Sequence, residues 1–231
     1  MCGIAGIYDT RGTRPIDGAL LDRMTDRLLP RAPDERGTFL RPGVGLGHRR
    51  LSIIDLASGQ QPMANDDASV VVTFNGEIYN YAAELREQLE AAGYRFRTHS
   101  DTEALLRAWE HWGEDCVHHL RGMFAFAVWD DRRKCLFLAR DRLGKKPLHY
   151  AFLDDGTLIF ASELKSLLLH PRFSRALDPR AVEEYFAYGY VPDPRCVFRN
   201  AHKLPPAHTL LVKQGEPAPA PREYWDVPFR P

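Results

Sequence analysis

Hydrophobic and polar positions alternate in short runs along most of this chain, and the runs are closed by turn residues. GIAGIYD reads as a buried strand starting almost at residue 1. VGLGHRRLSII, SVVVTFNGEIY and HTLLVKQGE read as further strands. MFAFAVWDDRRKCLFLAR is two strands about a polar turn, and LHYAFLDDGTLIFAS repeats the pattern with Asp155-Gly156 at its turn. Helical spacing is confined to a few segments. Asp17 caps a helix with Leu20, Leu21, Met24 and Leu28 on one face. YAAELREQLEAAG is amphipathic and closes at Gly93. SDTEALLRAWEHWG opens with a capping box, Ser100 and Glu103, and ends at Gly113. Asp178 and Pro179 start one more. LPRAPDERG is predicted as a loop, and residues 215–231, with five prolines in EPAPAPREYWDVPFRP, as a loose linker after a domain spanning 2–214. Many hairpins, few helices and no regular strand–helix alternation predict an α+β protein with antiparallel sheets. The strand-rich halves, GIAGIYD to EIY and MFAFAV to IFAS, suggest two sheets with helices outside.

Composition narrows the function classes. Lys+Arg and Asp+Glu both number 31 in 231 residues, so no basic surface for nucleic acid or anionic lipid is expected. No apolar run approaches the roughly 18 residues of a membrane span, and Asp9 and Arg11 interrupt the first apolar stretch too early for a secretory signal. The expectation is a cytoplasmic protein without nucleic-acid or membrane partners. The GVGLG glycines do not open a dinucleotide site, because a strand rather than a helix follows. The four cysteines, Cys2, Cys116, Cys135 and Cys196, show no C-x-x-C spacing, so no metal is expected. Cys116 and Cys135 lie among apolar residues and read as core thiols.

Cys2 is in a different position. Removal of the initiator methionine leaves a thiol and an α-amine on one residue, and the amine, with an ordinary pKa of about 7.7–8.0, can serve the thiol as its base. A thiolate attacking an amide needs an oxyanion hole, and Asn75-Gly76 in FNGEIYN offers a side-chain amide and a backbone N–H. On that stretch alone, the favoured reading of Asn75-Gly76 is a hairpin turn between VVVTF and EIY.

MCGIAG, GHRRLSIIDL, FNGEIYN, SDTE, GMFAF, ARDRLGKKPLHY and ASELKSL occur in this order and together resemble the class II glutamine amidotransferase domain. The match is to the N-terminal half of glutamine-hydrolysing asparagine synthetases, nearest to the asparagine synthetase-like amidotransferases of exosortase and exopolysaccharide systems, and it runs to REYWDV. The resemblance implies the N-terminal nucleophile hydrolase fold, a four-layer αββα sandwich of two antiparallel sheets. It implies Cys2 as nucleophile, Asn75 and Gly76 as oxyanion hole, Arg50 as the grip on the glutamine α-carboxylate, and Glu77 and Asp101 as acceptors for its α-ammonium. Bidentate guanidinium suits a carboxylate; Arg49 is the rival for that place, and Asp101 in a first helical turn is also favoured by the helix dipole alone.

The reaction implied is glutamine hydrolysis with release of ammonia. The alternative is a domain that binds glutamine or docks a partner without turnover. A different N-terminal-nucleophile acyl transferase fits less well, because Arg50, Glu77 and Asp101 suit a free amino acid. The family's His-Arg-Gly-Pro-Asp loop is PRAPD here, with Pro30 and Ala32 as departures, and Ala32 would resist a positive φ. The family's Ser-Gly-Gly-x-Asp-Ser pyrophosphate loop is absent from these residues, so the expectation is a truncated glutaminase half. It has no cofactor of its own, ATP and Mg²⁺ being implied only for the synthetase part. Expected partners are glutamine, a synthetase domain or subunit that receives ammonia, and a second copy if a homodimer forms.

Overall fold

GIAGIYD forms β1 (Gly3–Asp9), which is buried along its whole length because it is a central strand covered on both faces. The computed structural model describes residues 1–52, 55 and 58–229. After β1 come α1 (Gly18–Asp26), β2 (Glu35–Arg41), β3 (Val44–Arg50), β4 (Met63–Ala64) and β5 (Val70–Ile78). A wide helical turn at Tyr81–Leu85 leads into α2 (Arg86–Ala91), followed by α3 (Asp101–Trp112) and α4 (Cys116–His119). The second half holds β6 (Gly122–Asp130), β7 (Cys135–Arg140), β8 (His149–Phe152), β9 (Thr157–Ala161), α5 (Leu164–Leu167) and α6 (Pro179–Tyr188). β10 (His202–Lys203), β11 (His208–Lys213) and β12 (Arg222–Glu223) complete it.

Two six-stranded sheets result, ordered β10-β8-β9-β1-β3-β2 and β12-β11-β7-β6-β5-β4, with every pairing antiparallel. The period-2 alternation sorts side chains into three apolar layers. Ile4 and Tyr8 on β1 meet Val71, Ala127 and Trp129 of the other sheet. Ala5 and Ile7 turn the other way, onto Leu20, Leu21 and Met24 of α1. Val72 and Phe74 on β5 pack outward on Leu105 and Trp109 of α3. This is the expected αββα sandwich. Contact between α1 and its sheet depends on a missing side chain, since a Cβ at Gly47 would lie 2.0 Å from Thr25 Oγ1.

Several local expectations change. The predicted loop contains β2, an edge strand of mostly polar, half-exposed residues, which carries little apolar signal. The sheets do not follow the two halves of the chain, because β1 pairs with β9 across some 150 residues. The capping box does not close. Ser100 accepts from Thr102 N, but Glu103 turns back to the Arg97 and Thr98 amides. Asn75-Gly76 is not a turn: both residues lie inside β5, opposite Ala125 and Phe124. Within 215–231, Arg222–Glu223 pairs with β11 and the Tyr224 hydroxyl donates to the Arg140 carbonyl at 2.9 Å. The predicted strand VGLGHRRLSII ends, as described, at Arg50, and Ile53 and Ile54 lie outside the described residues. Among the described residues, no helix is long and apolar enough to cross a membrane.

Candidate active site

Among the described residues, the edge of β5 beyond the two-residue β4 has no neighbouring strand. Its outward N–H groups are met by side chains instead. Phe74 N–H donates to Gln61 Oε1 at 2.7 Å, and Ile78 N–H donates to Asp101 Oδ2 at 3.1 Å. Gly76 lies midway with the same parity, so its N–H points off the same edge. Nothing but glycine fits there, since a Cβ would lie 2.2 Å from the Met123 carbonyl oxygen.

Side chains of odd-numbered β5 residues face the other sheet. Val71 joins the inter-sheet layer, and Thr73 Oγ1 reaches the Gly47 carbonyl. Asn75 continues that row. It is fully buried, and neither its Nδ2 nor its Oδ1 has a hydrogen-bond partner among the described residues. An unsatisfied buried amide costs about 1–3 kcal/mol, so such a group calls for a ligand.

Asn75 and Gly76 border a cavity of about 120 Å³, which Cys2, Arg50, Glu77 and Asp101 also line. All six sequence candidates therefore meet in one place. Cys2 enters from the start of β1, which is pinned by a two-way bond: Ile4 N–H donates to Ser162 Oγ at 3.0 Å, and Ser162 N–H returns to the Ile4 carbonyl at 2.9 Å. The Cys2 carbonyl accepts from Arg31 Nε at 2.7 Å. Arg50 is at the end of β3, 4% exposed, with Nη1 on Glu35 Oε2 at 3.0 Å and Nη2 on the Asp55 carbonyl at 2.6 Å. These bonds fix its guanidinium at the cavity wall. Arg49 turns away, onto the Ala32 and Pro33 carbonyls at 3.1 and 3.0 Å. Strand alternation thus places Arg50, and not Arg49, on the cavity.

Burial dominates the electrostatics. It pushes the Cys2 thiol up, so the thiol needs a base to ionise. The Asp101 carboxyl is pushed up to about 6 by burial, with Glu77 beside it adding to the rise. Lys146, 5% exposed on the cavity wall, is pushed down by burial. Cys135 and Cys196 are buried away from the cavity and pushed up to about 12. Among the described residues, no three metal-ligating side chains converge.

The PRAPD loop is not strained at its departure. Ala32 is fully buried with an ordinary negative φ, and its N–H bonds the Leu28 carbonyl at 3.1 Å. The loop delivers Arg31 to the Cys2 carbonyl.

A family profile described as glutamine amidotransferase domain matches residues 1–225. The chain belongs to this family. Asparagine synthetase [glutamine-hydrolyzing] 3 of Bacillus subtilis is 41% identical over 218 residues, which are 93% of this chain and 35% of that protein. A putative asparagine synthetase of Methanocaldococcus jannaschii is 34% identical over 249 residues, 99% of this chain and 47% of that one. This amidotransferase domain thus spans about a third to a half of the length of these relatives. Glutamine phosphoribosylpyrophosphate amidotransferase of B. subtilis superposes with a TM-score of 0.67 at 18% identity, over 97% of this chain and 49% of that one, and so shares the fold.

Sequence reasoning did not select Gln61, Arg31 or Lys146 for this candidate site. Gln61 sits in the featureless SGQQPM, and nothing in the pattern shows that it satisfies a β5 edge amide. Lys146 lay in a quoted motif, ARDRLGKKPLHY, without an assigned task.

Proposed function

We propose that this domain hydrolyses the side-chain amide of glutamine and releases ammonia. The observation carrying the proposal is the unsatisfied Asn75 amide beside the outward Gly76 N–H, both bordering the cavity that Cys2 enters. With Met1 removed, the Cys2 α-amine takes the thiol proton as sulfur attacks the amide carbon. The oxyanion rests on Asn75 Nδ2 and Gly76 N–H. The ammonium returns its proton to the leaving nitrogen, ammonia departs, and a γ-glutamyl thioester remains. Water, deprotonated by the same amine, releases glutamate. Arg50 holds the α-carboxylate of glutamine, while Glu77 and Asp101 accept from its α-ammonium. These two carboxylates favour a substrate with a free α-ammonium over one whose α-amine is acylated.

In the longer relatives' arrangement, the ammonia would pass to an ATP-activated carboxylate on a synthetase part. Aspartate is the acceptor their names suggest, and an exopolysaccharide-type acid is the acceptor suggested by the exosortase-associated likeness. Intact-mass spectrometry before and after a glutamine-analogue diazoketone tests the reading. Loss of Met1, one adduct on Cys2 and glutamate formation from glutamine are expected. Glutamine binding without an adduct or turnover would leave a binding domain in its place.

A further inference from the structure

Lysine is seldom buried without a partner. Lys146 is 5% exposed on the wall of the cavity it shares with Met1, Cys2 and Glu77. No carboxylate among the described residues lies within ion-pair distance of its ammonium, and no acceptor takes a hydrogen bond from it. Its backbone is nonetheless firmly held. Asp141, 1% exposed, accepts from the amides of Phe124, Leu143, Lys145 and Lys146 at 2.9–3.2 Å, and the Lys146 carbonyl accepts from Arg140 Nε at 2.9 Å. The fold therefore builds a rigid turn that places, beside the N-terminal residue, a cation with no close ion pair among the described residues, Glu77 and Asp141 acting on it only from further off.

We propose that Lys146 is a positioning residue for the N-terminal base: its ammonium disfavours a second positive charge on the neighbouring α-amine and so keeps that amine in its proton-accepting form. The inference rests on Cys2 being the nucleophile of glutamine hydrolysis. In the structure the α-amine belongs to Met1, one residue before the Cys2 amine of the processed chain, and Met1, Cys2 and Lys146 line the same cavity. Burial pushes the Met1 amine down, and Arg31 and Lys146 push it further.

The charged groups around it come from every side. Arg31 arrives from the loop after α1, and its charge is already shared with Glu163 at 3.4 Å. Glu77 from β5 and the Cys2 thiol act in the opposite direction. Arg50 from β3 is engaged with Glu35, and Asp101 lies at the start of α3. Lys146, from the turn before β8, is the cation in this set without a carboxylate partner.

The test is the pH dependence of kcat in processed protein, for wild type, Lys146→Met, Lys146→Gln and Lys146→Arg. At saturating glutamine, Asp101 is paired with the substrate ammonium, so the acid limb of kcat reports the base. Loss of the charge should move that limb to higher pH by about 0.5, since one unit charge across a partly wet cavity is worth that much. Lys146→Arg should restore the wild-type limb. A packing role would lower kcat evenly at all pH values, and an unmoved limb in both uncharged variants overturns the role of Lys146 alone. A processed wild type without glutamine turnover overturns the glutaminase reading, and this inference with it.

Discussion

Asp101→Asn should make this protein more stable at neutral pH while removing its affinity for glutamine. The carboxyl is 5% exposed and is pushed from 3.8 to about 6 by burial and by Glu77. This is the reverse of the usual aspartate. The folded state favours the protonated form, so ionisation weakens the fold. The cost is absent below pH 3.8, builds as pH rises through about 4 to 6, and is complete above that range. A shift of this size corresponds to about 3 kcal/mol as an upper limit. Asparagine keeps an oxygen for the Ile78 amide and carries no charge to desolvate. Urea unfolding of wild type and variant at pH 4, 5, 6 and 8 measures the difference. The advantage of the variant should grow across this series and level off near pH 7. Glutamine should close the gap at pH 8, because its ammonium restores a partner to the carboxylate of the wild type only. A gap that does not change with pH, or a variant less stable at pH 8, would refute the reasoning.

Other consequences follow from the same geometry. Asn75→Ala should lower kcat about 10²–10³-fold with little change in KM, as for loss of one oxyanion donor, when glutamate release is followed at saturating glutamine. The same variant should not lose stability in urea, since it deletes an amide that has no partner. Gly76→Ala should cost about 1–3 kcal/mol by overpacking against the Met123 carbonyl, and thermal unfolding would show it. In wild type, KM for glutamine should rise about tenfold per pH unit below pH 6 as Asp101 takes up a proton, while a KM flat from pH 7 to pH 4.5 would remove Asp101 from ammonium binding.

The hairpins and the layered fold were legible because their signals are local. β1, β6, β7 and β9 are buried runs, and the α1 and α6 caps, Asp17 and Asp178, accept their expected amides. β2 was hidden because an edge strand needs only one apolar face and is made mostly of polar residues here. The six candidate site residues were found by motif order. What the motifs lacked was the reason for their company. Asn75-Gly76 has the dipeptide chemistry of a turn, and only the register opposite Ala125 and Phe124 shows it to be strand. Glu103 went to the Arg97 and Thr98 amides because that preceding stretch bends back over the helix end, a tertiary preference that a four-residue cap rule does not contain. Lys146 gained its meaning from Asp141, whose four accepted amides fix a turn that composition cannot reveal.

The pairing of β1 with β9 has a bearing on synthesis. Cys2 lies at the N-terminal side of the domain, whereas Ser162, which pins the neighbouring Ile4, follows that residue by 158 positions. Contacts so distant along the chain form late. A nascent or prematurely ended chain short of Ser162 carries the thiol but has no seat for it. The cavity that Cys2 lines is thus completed only once the sheet closes around β1.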